Sequence, residues 1–281
     1  MKYKLKLPAL SFLLSITGII SIFFSLQEKN MLISQLKVNS EDFNAVTARR
    51  ALAEYTGTQF LYDFFFTNEF YYIYIIILFL IVGFLSSSNL LNQRLTGLGN
   101  LHVSRSGYTR YLNTSIIYET KKVAFLIIYS MFFIFSFSLL VGKGFSSITI
   151  DDRTVNVFQS TMVFLYTIII LIVYTSIALI ISLMLTMKLS NLYVSYIFPL
   201  AVFILIPILI SSTFGNSFIS IGKIINLFIP FTFLTETFKL LESSSNNSNY
   251  IFHLLFLFTI YLTMSISIYK SNKKYFSENY I

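Results

Sequence analysis

Few residues in this chain can do acid–base or nucleophilic chemistry, and their spacing brings none of them together. There are two histidines, His102 and His253, and no cysteine. Thiol catalysis, disulfides and cysteine-ligated metals are therefore excluded. The two histidines fall in segments assigned below to opposite sides of a membrane, which leaves no histidine-based metal site and no Ser–His pair. His253 sits just inside an apolar run, where a hydrogen-bonded or partly hydrated imidazole is the plain reading. No GxxxxGK[ST] stretch is present to cradle phosphates, so the chain does not hydrolyse ATP by itself. No catalytic residue and no metal ligand is assigned.

The residues best placed to act are cations. The polar stretch 89–122, NLLNQRLTGLGNLHVSRSGYTRYLNTSIIYETKK, holds Arg94, Arg105, Arg110, Lys121 and Lys122 against a single acid, Glu119. It lies between two long apolar runs. Lys and Arg in a short loop beside membrane spans mark the cytoplasmic face, because their translocation is disfavoured. The chemistry this stretch offers is recognition of an acidic surface rather than catalysis. Gly97, Gly99 and Gly107 can punctuate its backbone, while Tyr108, Tyr111, Leu112 and Ile116 share one helical face.

The elements that must position this stretch are membrane helices. The 281 residues are 56% hydrophobic and only 11% charged, less than half the roughly 25% charged share of a soluble domain. The apolar side chains come in uncharged runs of about 20, enough to cross a hydrocarbon core of ~30 Å. Six spans are expected at residues 7–26, 70–88, 123–142, 158–187, 192–212 and 250–269, giving an all-α single transmembrane domain over 1–281 with no soluble domain. The first run could instead be a signal peptide, but it is long for one and SIFFSLQEK lacks a small-residue cleavage site. The loop over 27–69 is polar, and Ser40 could cap a helix through EDFNAVTARRALAEY. A short loop is expected at 143–157 and a tight turn at 188–191.

Charge asymmetry orients these spans. With both termini inside, twelve of the twenty Lys and Arg are cytoplasmic, and ten of the twelve acids lie outside. The cation bias is the diagnostic quantity. It also accounts for most of the +8 net charge, so no nucleic-acid partner is implied. The spans as drawn contain no Asp, Glu, Lys or Arg, which argues against an ion-driven pump built on intramembrane carboxylates. Ser11, Ser15 and Gly18 in the first span, and Gly83 with Ser86–Ser88 in the second, suit close helix packing, with a hydroxyl-lined path as the alternative. The wealth of Ile, Phe, Asn, Lys and Tyr points to an AT-rich bacterial genome and hence to the bacterial cell membrane.

Six spans, the basic stretch GLGNLHVSRSGYTRYLNTSIIYETKK between the second and third, and the semi-polar segment 213–249 together resemble the membrane subunit of type-2 ATP-binding-cassette exporters. In that family a cytoplasmic helix between spans two and three docks on a separate ATPase. The resemblance implies such a coupling role for Gly97, Gly99, Arg105, Gly107, Tyr108, Arg110 and Tyr111. It also implies short re-entrant outer helices between spans five and six, where GKIINLFIPFTFLTETFKLL, broken at Pro230 and carrying Glu236, is similar. The chain would bind no cofactor itself; ATP and magnesium would belong to the partner. The other expected partners are a second permease copy and membrane lipid. The short N-terminal tail and the long first outer loop favour the small bacterial peptide, bacteriocin and antibiotic permeases. The alternatives are a membrane-embedded immunity or interaction protein without transport, and an ion-coupled secondary carrier.

Overall fold

The computed structural model describes residues 7–38, 56–67, 69–95, 107–142, 144–150, 153–188 and 192–206, together with Leu209 and single positions from Leu255 to Lys270. These residues are almost wholly helical. The long helices are α1 (Leu7–Val38), α3 (Phe70–Leu95), α4 (Tyr108–Val141) and α5 (Val157–Lys188). A short α2 (Gly57–Tyr62) runs directly into a π-helical turn, Asp63–Thr67. A nine-residue α6 (Leu192–Leu200) likewise leads into a π-helical segment, Ala201–Leu205.

Several helices outrun their apolar stretches. The run in α1 ends near Leu26, yet the helix continues to Val38. Its continuation, QEKNMLISQLKV, is rich in Gln, Glu, Lys, Met and Leu, which favour helix, and contains neither Gly nor Pro to stop it. Among the described residues three helices are long and apolar enough to cross a membrane, over Leu7–Met31, Thr109–Val141 and Val157–Leu183. A fourth crossing is reached if Gly57–Phe65 and Phe70–Leu85, bent by 66° at their junction, count as one broken span.

Two compact units partition these elements. The first comprises Met1–Tyr74 and Tyr129–Leu165. In it α1 buries Ser11, Ser15, Ser21 and Ser25 on one face. The Ser15 hydroxyl donates to Ser11 O at 2.8 Å and that of Ser11 to Pro8 O at 2.9 Å. These two hydroxyls are thus satisfied within their own helix, so they serve tight packing rather than requiring a wet path. Gly18 lets the Ile134 side chain of α4 approach so closely that an added Cβ would lie 2.5 Å from Ile134 Cγ1. Phe12 meets Phe133 at 6.2 Å and Phe23 meets Phe137 at 6.3 Å between ring centres, along the same helix pair.

The polar loop expected over 27–69 gives way to buried structure at its end. Thr56 caps α2 by accepting from the Gln59 N–H at 3.3 Å. The sequence that follows, FLYDFFFT, is mostly aromatic, and Phe60, Leu61, Phe64 and Phe65 are buried. Phe64 packs edge-on against Tyr71 at 5.6 Å and Phe65 meets Tyr71 at 4.7 Å. Gly57 N–H donates to Gly144 O at 2.7 Å, tying α2 to the far end of α4. The expected loop at 143–157 contains a small antiparallel hairpin, β1 (Ile148–Ile150) with β2 (Arg153–Val155), pairing Ile148 with Val155. Its strands, ITI and RTV, are largely β-branched and joined by only two residues, as a tight hairpin requires.

The second unit comprises Ile75–Ile128 and Tyr166–Ile281. Here α3 meets α6 at Gly83, where an added Cβ would collide with the carbonyl of Tyr196 and approach Pro199. Phe79 stacks on Phe203 at 5.7 Å and Phe84 lies 5.5 Å from Tyr196. Pro199, inside α6, supplies no N–H to the helical ladder. The π-helical segment begins two residues later, a local widening consistent with a broken ladder. Tyr174, Thr175, Ala178, Leu179 and Ser182 of α5 are buried. The described positions between Leu255 and Lys270 are helical.

Candidate functional site

The best candidate is the leading part of α4. Gly107 precedes it with φ +77°, a conformation costly for a residue bearing a Cβ, and its carbonyl accepts the Tyr111 N–H at 3.1 Å. From Tyr108 the helix runs 34 residues without a break. Its charged residues, Arg110, Glu119, Lys121 and Lys122, all precede Val123. The apolar part therefore starts at Val123, and the preceding 15 residues make about 22 Å of polar helix.

The faces of this polar helix differ in character. Leu112 and Glu119 are buried, with Tyr111, Ser115 and Ile116 half-buried beside them. Arg110, Asn113, Thr114, Ile117, Tyr118 and Lys121 are exposed. The structure thus places Arg110 on the exposed face and Tyr111 on the adjoining half-buried face, both within a turn of Gly107. Tyr108 opens the helix. Gly97, Gly99 and Arg105 lie outside the described residues, as do His102, His253, Pro230 and Glu236.

Glu119 is only 1% exposed, and Lys122 Nζ donates to its Oε1 at 2.8 Å. Lys122 also sits over the Tyr118 ring, 4.1 Å from its centre. A buried carboxylate is tolerable because that charge is matched by a cation and a hydrogen bond. The sequence carries a signal for this burial: Glu119 is seven residues after Leu112 and four before Val123, on one helical stripe. At the exposed side, Tyr269 OH donates to Asn113 Oδ1 at 2.7 Å, linking the carboxy-terminal helical positions to the same segment.

A second carboxylate, Asp63, was not singled out by sequence. It is 6% exposed at the start of the π-helical turn. Gln59 Nε2 donates to Asp63 Oδ1 at 2.9 Å, and the Asp63 N–H donates to the carbonyls of Gln59 and Phe60. The readable signal is one acid enclosed by FLY and FFF, too apolar a setting for a free loop. Among the described residues no three His, Cys, Asp or Glu side chains group to hold a metal ion. What the leading part of α4 can do is bind: it offers cations, an aromatic ring and a fixed helical frame. Comparison with known proteins finds no matching family model, no matching curated relative and no matching solved structure.

Proposed function

We propose that the chain is the permease subunit of a bacterial ATP-binding-cassette exporter. It would have six spans with both termini cytoplasmic, and would form a path for a hydrophobic or amphipathic peptide, bacteriocin or antibiotic. The observation that carries this reading is the polar extension of α4. Arg110 stands thirteen residues, about 20 Å, ahead of the apolar run, exposed, with the half-buried Tyr111 next in sequence. An exposed arginine on a polar helix that stands this far from the apolar run suits a soluble acidic partner, since Arg is enriched at interface hot spots. Residues 97–111 would dock on the ATPase, which binds ATP and magnesium. This chain would convert nucleotide-driven closure into a two-state helix rearrangement, together with a second permease copy.

The test is co-purification with the ATPase encoded beside this chain. Arg105→Ala with Tyr108→Ala should leave membrane insertion intact, because Arg94, Arg110, Lys121 and Lys122 still hold the stretch inside. It should weaken co-purification or uncouple ATP hydrolysis from export. Unchanged assembly and export in the double variant would put the coupling element elsewhere.

One observation favours a second reading, the ion-coupled carrier. Asp63 is buried beside the junction of a helix pair bent by 66°, and broken helices with buried carboxylates are where carriers hold coupling ions. Transport that follows an imposed ion gradient without ATP, and that is lost in Asp63→Asn, would select this reading.

A further inference from the structure

We propose that Tyr118, Lys121 and Lys122 form a binding site for the phosphate group of an anionic membrane lipid. The argument is one of depth along α4. If Val123 marks the edge of the hydrocarbon, Lys122 and Lys121 lie about 1.5 and 3 Å outside it and Tyr118 about 7.5 Å. The headgroup layer of one leaflet is about 5–8 Å thick. All three residues fall within it, whereas Arg110, at about 20 Å, stands beyond it even on a tilted helix.

The side chains fit that layer. Tyr118 is 55% exposed, an aromatic surface that suits the headgroup interface better than open water. Lys121 is exposed beside it. Lys122 is held in place, by Glu119 Oε1 at 2.8 Å on one side and by the Tyr118 ring at 4.1 Å on the other. An ammonium has three donors, so with one bonded to Glu119 and one side against the Tyr118 ring, one is left for a phosphate oxygen. The Glu119 carboxylate is turned into the protein, 1% exposed, so it anchors Lys122, and among the described residues no acid opposes the charge of Lys121 at the surface. Glycerophospholipids with a net negative headgroup are the matching class, because a neutral headgroup carries its own ammonium to compete for the same phosphate.

The inference requires that α4 cross a membrane, but neither an ATPase partner nor a particular sidedness. The test uses the purified full chain in nanodiscs of phosphatidylcholine containing a minority of phosphatidylglycerol, the same in both leaflets. Lipids retained on release into detergent are counted by native mass spectrometry. Phosphatidylglycerol should be enriched over its share in the disc. Lys121→Gln should lower that enrichment about 5-fold, the effect expected of one lysine near a charged surface, and Tyr118→Leu should lower it with Lys121 intact. Both positions are exposed enough for the variants to fold, whereas Lys122→Gln would strand Glu119. Arg110→Gln should leave the enrichment unchanged, and added glycerol phosphate should not displace the lipid. Equal enrichment in Lys121→Gln and the parent chain overturns the site. An equal loss in Arg110→Gln would mean that the enrichment follows the overall positive charge of the segment and not these three residues, and would likewise overturn the site. Displacement by glycerol phosphate would mean a free phosphate site.

Discussion

The hydroxyls of Tyr74 and Ser130 lie 2.7 Å apart, with both residues fully buried, and join α3 to α4. Across 56 residues of sequence this is a polar bond in an otherwise aromatic setting, where Tyr74 also stacks near Tyr71 at 6.2 Å. Interhelical bonds of this kind contribute about 0.6 kcal/mol in membrane bundles and up to about 1.7. Tyr74→Phe is expected to destabilise by about that amount, because Ser130 can turn its hydroxyl to a carbonyl one turn back. Combined with Ser130→Ala in thermal unfolding, the pair should be less than additive. Full additivity would mean the two residues are not coupled.

Two glycines are expected to respond differently to the same substitution. At Gly18 an alanine methyl meets the Ile134 side chain. Gly18→Ala should cost about 1–3 kcal/mol and recover in part when paired with Ile134→Val. At Gly83 the methyl meets the backbone carbonyl of Tyr196. No side-chain change can relieve that contact, so Gly83→Ala should destabilise more than Gly18→Ala. Melting temperatures of the three variants in one detergent decide the order.

Asp63 invites a paired test. Asp63→Asn keeps an acceptor for the Gln59 amide while removing a charge from a buried position, so folding should change by less than about 1 kcal/mol in either direction. Asp63→Leu leaves that amide without its partner and should cost about 1–3 kcal/mol. If leucine proves harmless and asparagine damaging, the hydrogen bond to Gln59 is not what Asp63 contributes to folding.

Sidedness can be read directly because the chain contains no cysteine. In intact cells an impermeant thiol reagent should label Ser40→Cys and spare Ser104→Cys. The reverse pattern would invert the whole topology and move residues 97–111 away from any cytoplasmic ATPase.

The long helices were readable because each carries an apolar run of about 20 residues or more with no charge inside it; α5, expected over 158–187, spans Val157–Lys188. Helix ends were less readable: α1 and α4 continue through residues such as Gln27 and Thr114, whose polarity argues against a span but not against a helix. Asp63 was missed because its burial depends on Phe64 and Phe65 finding Tyr71 and Phe164, contacts that come from other helices. The same holds for Glu119: its place on the Leu112–Val123 stripe was visible, but polarity alone made it one acid in a basic stretch. The hairpin at 148–155 has strands of three residues each, too short for alternation to register.

The uninterrupted helix from Tyr108 to Val141 behaves as a single shaft. Angular position along a shaft is conserved, so the direction in which Arg110 points is fixed by how Glu119 and Val123 are seated. Each inserted residue advances the helix by 100°. One extra alanine between Asn113 and Thr114 would therefore swing Arg110 and Tyr111 a quarter-turn or more away, with every side chain still present. Seven inserted residues would return them to within about 20° of their original heading, displaced outward by about 10 Å. Whatever Arg110 meets is thus specified by phase as much as by composition, and a length change there can silence the segment without altering a single original residue.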